Sequence, residues 1–144
     1  MSEEIRIGGK KVGHGNPCFI IGEAGVNHNG KIENALKLVD IAYEAGVDAI
    51  KFQLYRIEEQ ISQYSEAAPY QCKRTNSKMM ATMAKSYDLP WEQHKKIVEY
   101  CDKIGITYMA SCFDPSAVDF LINKLKGDCI KVGAGELTNY PLLK

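Results

Sequence analysis

No apolar run in the 144 residues approaches the ~20 that a membrane-spanning helix needs, so no membrane partner is expected. A surplus of one charge is missing as well: 18 Lys and Arg balance 18 Asp and Glu. That balance gives no electrostatic footprint for nucleic acid or an anionic lipid surface. The opening residues, MSEEIRIGGK, lack the basic and then apolar pattern of a secretory leader, and a cytoplasmic location is the expectation. The five cysteines, at 18, 72, 101, 112 and 129, form no CxxC pair. Buried reduced thiols are therefore expected rather than disulfides or a zinc site. No HxH or HExxH spacing supports a metal centre among these residues. His14 reads as a loop residue, and His94 falls on the buried stripe of a helix.

What the chain does have is length enough for one domain with a core, and three unusual strand patterns. The stretch Cys18 to Gly30, CFIIGEAGVNHNG, runs from an apolar segment into Glu23 and then into a turn-rich loop with Asn27 and His28. AIKFQL from Ala49 and CIKVGAGE from Cys129 repeat the plan with a lysine inside the strand. A charge within an apolar strand is costly unless it is paired or used.

Taken in order, Ile5 to Val12 reads as a β-hairpin turning at Gly8-Gly9. A strand at about 18–23 precedes a helix over roughly 31–45, closed by Gly46. A second strand covers 48–54. Period two puts Lys51 and Gln53 on one face and Ile50, Phe52 and Leu54 on the other, and the apolar face should meet helices. Residues 55–88 form a long mixed connection with Pro69 and a short helix near 77–85. A connection of that length suggests an active-site lid or an oligomer contact. A second helix starts near Pro90 and stops at Gly105, followed by a strand at 106–112. Asp114-Pro115 opens a third helix whose apolar face is Val118, Leu121, Ile122 and Leu125. A fourth strand at about 129–133 follows, and Pro141 can open another helix.

Strands alternating with helices predict an α/β fold with a parallel sheet and a site at the strands' C-terminal ends. Glu23, Lys51, Gln53, Ser111, Lys131 and Glu136 all fall there. Two inward lysines and a hydroxyl suit a phosphate or carboxylate ligand. The two glutamates suit acid–base work. The alternative is that Lys51 and Lys131 are structural ion-pair partners of the glutamates. A Schiff-base lysine is a third option. Four strands make either a small open sheet or the first half of an eight-stranded barrel.

The segment FIIGEAGVNHNG from Phe19 strongly resembles the first strand and loop of the N-acetylneuraminate (sialic acid) synthase family. AIKFQ from Ala49 resembles its second strand, and KVGAGELTNYPL from Lys131 its fourth. The resemblance runs in register from about Pro17 to Lys144 and points to the bacterial sialic and legionaminic type. It implies a (β/α)8 TIM barrel of which residues 1–144 are the N-terminal half: the hairpin 5–12 and about four βα units. The second half and a C-terminal antifreeze-like domain would lie outside this chain. It implies condensation of phosphoenolpyruvate with an N-acylated hexosamine, assisted by a divalent metal, manganese or magnesium, whose histidine ligands lie on later strands. The fragment alone would then be inactive. By matching position, Lys51, Lys131 and Ser111 would hold phosphoenolpyruvate, Gln53 would line the pocket, and Glu23 and Glu136 would act on the sugar or the water. Asn27 and His28 would be site-loop residues, and the whole protein would be a homodimer. Two local departures stand out. Ala134 replaces a serine common in relatives, and ASCF from Ala110 replaces a more usual STPF. A truncated half barrel without catalysis, or a generic phosphate-binding α/β domain, remain the other readings.

Overall fold

A computed structural model describes residues 4–62, 64–66 and 79–144. The hairpin forms from β1 (Ile5–Ile7) and β2 (Lys10–Val12), paired antiparallel. Gly8 and Gly9 turn it with positive φ. Gly8 also packs so close that a Cβ there would lie 1.9 Å from Thr107 Oγ1. The hairpin is latched to the rest of the fold at two points. Lys10 pairs with Asp48 at 2.6 Å, and the Gly8 N–H donates to Asp128 at 3.0 Å.

Four parallel strands make the main sheet, in the order β3 (Ile21–Gly25), β4 (Ala49–Leu54), β5 (Thr107–Cys112), β6 (Ile130–Val132). Each is followed in sequence by a helix, which is why neighbours run parallel. Helix α1 (Ile32–Glu44) buries Ala35, Val39 and Ala42 and ends where Gly46 takes φ +71°. Helix α2 (Ile57–Gln60) and helix α3 (Met80–Tyr87) occupy the described parts of the long connection. Of the short helix expected near 77–85, residues 77 and 78 lie outside the described residues, as do Pro69 and Cys72. Helix α4 (Trp91–Ile104) buries His94, Ile97 and Cys101 and stops at Gly105, which is left-handed at φ 85°. Helix α5 (Pro115–Asp119) is capped by Asp114 and followed by a π turn, Phe120–Lys124. The last helix, α6, is Tyr140–Leu143.

The core lies between the helices and one face of the sheet. Ile50, Phe52 and Leu54 of β4 and Tyr108, Ala110 and Cys112 of β5 meet Ala35, Val39, Ile97, Cys101 and Leu121 there. The period-two expectation for β4 is thus met on its apolar side. Three expectations change. The first strand starts at Ile21, not Cys18, and extends past Glu23 to Gly25; Cys18 is exposed and the Ile20 N–H donates to the Asp48 carboxylate at 2.6 Å instead of to a strand. Ile122, placed by α-helical spacing on the buried face, is 45% exposed, while Phe120 is buried. The π turn takes more residues per turn than an α-helix and so rotates the apolar face. The buried-thiol reading holds for Cys101 and Cys112 and fails for Cys18.

Candidate functional site

The sheet face turned away from the helices carries the polar side chains. Paired residues on adjacent parallel strands present their side chains on the same face. Glu23 pairs with Lys51, Lys51 with Met109, Gln53 with Ser111, and Ser111 with Lys131. Gln53, Ser111 and Lys131 therefore form one transverse row, with Glu23 and Lys51 one step below it. The row lies at or next to the last residue of each strand, the end where ligands bind in open α/β sheets.

Several contacts tie this face together. Lys51 Nζ donates to Glu23 Oε2, and the Lys51 side chain is only 12% exposed against 50% for Glu23. Burial lowers the Lys51 pKa, and the positive charge of Lys131 lowers it further. That direction stands although a carboxylate touches the amine. Lys131 makes no ion pair among the described residues and is exposed. The pair of lysines thus carries one more positive charge than Glu23 neutralises. A break in register between Glu23 and Gly25 bulges β3 at Ala24. Gly25, at φ +54°, leaves space into which two side chains converge. A Cβ there would stand 3.3 Å from Glu23 Oε1 and 3.8 Å from Gln53 Nε2.

Glu136 sits in a 3-10 turn just past β6 and is half-buried, and the Asn139 amide donates to its Oε2 at 2.6 Å. Gly133 keeps that turn against Phe113: a Cβ there would meet the Phe113 ring at 3.3 Å and Glu136 Cγ at 3.9 Å. Asn27 is exposed, and its side-chain amide donates back to Ala24 O at 2.9 Å, pinning the loop after the bulge.

His28 is not on this face. It is 2% exposed, with its ring 6.1 Å from Phe52, on the helix-covered side of β4. Its Nδ1 accepts from the Gly30 N–H at 3.1 Å, and its carbonyl accepts from Asn34 Nδ2 at 3.1 Å. The apolar surroundings lower its pKa and hold it neutral. Its geometry is that of a residue that fixes the loop, tied to Gly30 and Asn34 and set against the Phe52 ring. His94, its ring 6.2 Å from that of Phe52, is buried and hydrogen-bonded to the Tyr108 hydroxyl at 2.9 Å.

The sequence points to residues 55–88 as a lid or an oligomer contact but does not resolve what their described parts enclose above the β3–β4 rim. A cavity of about 180 Å³ opens beside Gln53, walled by Val26, Tyr55, Gln60, Ile61, Ala84 and Tyr87. The mixed polarity of residues 55–88 gave no clean period by which to find it. A separate cavity of about 570 Å³ lies among the helices, with Arg56 over the Trp91 ring at 4.3 Å and Trp91 4.6 Å from Phe120. None of the expected site residues lines it. Among the described residues, no group of three His, Cys, Asp or Glu side chains could hold a metal ion, and no helix is long and apolar enough to cross a membrane.

Comparison with known proteins bears on this arrangement. The chain is 40% identical over 127 residues to the N,N'-diacetyllegionaminic acid synthase of Campylobacter jejuni, covering 88% of this chain and 38% of that protein. It is 38% identical over 146 residues to the enzyme of the same name from Legionella pneumophila, covering all of this chain and 41% of that protein. Its structure matches the N-acetylneuraminic acid (sialic acid) synthetase of Leptospira borgpetersenii, solved with citrate, with a TM-score of 0.81 and 31% identity, over 99% of this chain and 45% of that one. The chain thus spans less than half the length of these relatives. Residues 38–144, well over half of the chain, match the NeuB family pattern. A parallel α/β sheet that lines up lysines, a serine and carboxylates on one face, together with that match, makes the chain a member of the NeuB family of sialic acid-type synthases.

Proposed function

We propose that this chain is the N-terminal half of a (β/α)8 synthase domain. The domain condenses phosphoenolpyruvate with an N-acylated hexosamine to give a nine-carbon 2-keto sugar acid and phosphate. The observation that carries the reading is the pair of lysines on one sheet face beside Ser111, with one net positive charge that no described carboxylate balances. A phosphate ester with its own carboxylate supplies the missing anions. Lys51 and Lys131 bind that anion and Ser111 donates its hydroxyl to it.

The enol carbon of phosphoenolpyruvate forms the new C–C bond to the aldehyde carbon of the open-chain sugar. Water adds at the neighbouring carbon, and the C–O bond to phosphate breaks as the ketone forms. Glu23 is placed beside the bound anion and can take the proton from water once the ligand competes for Lys51. Glu136, at the opposite end of the row, orients a sugar hydroxyl or donates a proton. Gln53 lines the pocket between them. Asn27 and His28 act one step back, by fixing the loop that follows Glu23. A divalent metal belongs to this reading by resemblance, but the described residues do not form a site that fits one, and no step above is routed through it. The whole protein would work as a cytoplasmic homodimer.

The rival reading makes the lysines structural ion-pair members, and the Lys51–Glu23 contact is in its favour. Lys131, with no such partner among the described residues, separates the two. Loss of a hydrogen bond to a charged group costs about 1.5–3 kcal/mol, or roughly 10- to 100-fold in affinity. Lys131→Ala should weaken phosphoenolpyruvate binding by that factor in calorimetric titration, with an unchanged melting midpoint. Unaltered affinity, or a large drop in the midpoint alone, would hand the lysine back to the fold.

A further inference from the structure

We infer that Asn29-Gly30 is a latent modification site, where deamidation through a succinimide is held back by the His28 imidazole and released when the loop after β3 opens. The inference is independent of the synthase reading. It follows from the chemistry of an asparagine followed by a glycine and from the geometry of one turn. A glycine nitrogen can reach the side chain of the preceding asparagine because no Cβ stands in the way. In the reaction, Gly30 N bonds to Asn29 Cγ, and the Asn29 side-chain nitrogen leaves as ammonia with the proton given up by Gly30. A five-membered succinimide results. Water then opens the ring at either carbonyl and leaves aspartate or isoaspartate at position 29. No other reactant is needed.

The fold exposes Asn29 but withholds the nucleophile. Asn29 and Gly30 take φ 51° and 68°, and the Lys31 N–H donates to the His28 carbonyl at 3.1 Å. Residues 28–31 are thus a turn with both central residues left-handed, an arrangement that Asn-Gly favours. The Gly30 N–H donates to His28 Nδ1 at 3.1 Å. The nitrogen of a succinimide is planar, and in that plane Cγ takes the direction the amide hydrogen held. In the folded chain this direction is filled by the imidazole. Attack therefore requires the Gly30–His28 bond to break and the turn to rotate. The imidazole is held in place: it is 2% exposed, and its ring lies 6.1 Å from that of Phe52. Burial keeps it neutral, so Nδ1 retains the lone pair that accepts the bond. Gly30 is confined as well, since a Cβ there would stand 3.1 Å from the carbonyl oxygens of Ser86 and Asp88 at the end of α3. The reaction thus marks, irreversibly, molecules whose loop has left these contacts. Isoaspartate also lengthens the backbone of the turn by one carbon, in the loop that joins the strand of Glu23 to α1.

The test is timed incubation of the full chain at neutral pH, with mass spectrometry that resolves asparagine, aspartate and isoaspartate at position 29. The same chain in urea and a synthetic peptide of residues 24–34 give the unguarded rate. The folded chain should lose Asn29 at least about tenfold more slowly than either, because reaction then waits on local opening. His28→Ala should bring the rate to within about threefold of the peptide. His94→Gln, which weakens the core but keeps the His28 acceptor, should stay slow and shows that the His28 effect is not one of general loosening. Wild type supplies a measurement that needs no variant: hydrogen exchange at the Gly30 amide should be slowed by a factor similar to that for deamidation. Asn29 lost as fast from the folded chain as from the peptide, a Gly30 amide that exchanges without protection, or a folded His28→Ala chain as slow as wild type would each overturn the inference.

Discussion

At the residue scale, the charges of this protein are placed by what surrounds them. Lys51 is tolerable in a strand because Glu23 meets its amine, and it is tuned downward because it is buried and Lys131 is near. The two buried histidines are the opposite case. Among the described residues neither meets a carboxylate, and burial keeps both neutral. Burial, with the neighbouring His28 adding to it, lowers the His94 pKa to about 3 from an ordinary 6.5. The unfolded chain therefore gains protons below pH 6.5 that the folded chain refuses until about pH 3, so stability falls as pH drops through that window. Thermal melts from pH 7 to pH 4 should show a steadily falling midpoint, and His94→Gln should flatten the slope although it starts lower. A variant as steep as wild type would remove His94 from the account. Some of this was legible in advance: the period of two placed Lys51 and Gln53 on one face, and the helical stripe buried His94. The side of the sheet taken by His28 was not legible. It depends on where the loop goes after the bulge at Ala24, and that is decided by packing on Phe52.

At the scale of elements, the connections carry as much as the strands. Asp114 was expected as a helix cap, and its Oδ1 does accept from the Ala117 N–H and the Ser116 hydroxyl, each at 2.7 Å. Its other oxygen accepts from the Arg56 N–H at 2.7 Å, across 58 residues of sequence. One buried carboxylate thus caps α5 and secures the chain leaving β4. An N-cap substitution costs ~1 kcal/mol, and a buried donor left without its partner costs a further ~1–3 kcal/mol. Asp114→Ala should lower stability by about 3 kcal/mol, read as a fall in the urea midpoint at constant slope. Asp114→Asn should lose less, and a loss of only about 1 kcal/mol for the alanine variant would show that the Arg56 contact contributes little. No pattern in the sequence announces such a long-range bond. Nor does it announce the π turn, since Val118, Leu121, Ile122 and Leu125 fit an α-helix as written. Only the choice of Phe120 over Ile122 for the space beside Trp91 separates the two windings.

At the scale of the whole molecule, the helices bury one sheet face and leave the polar row on the other. Ligand binding and folding are therefore coupled by mass action. Phosphoenolpyruvate at 100 times its dissociation constant should add ~2.7 kcal/mol. For a chain of this size that is roughly 10 °C in the melting midpoint. No shift at such a concentration would count against a preformed anion site. The order of strands and helices was readable from periodicity because each apolar run has its own turn signals. The rim cavity was not, because it arises where three separate segments meet. The alternation along β4 has a further, genetic consequence. Each residue of AIKFQL has the opposite duty to its neighbour, so deleting one codon inside the strand would exchange the two faces for the residues beyond it. Phe52 would turn toward the ligand and a charged or amide side chain toward Val39 and Ile97. Frame-preserving indels in this strand should thus be lost at the folding step before any loss of chemistry could be observed. Lineages carrying it can vary it by exchange of residues but not by change of length.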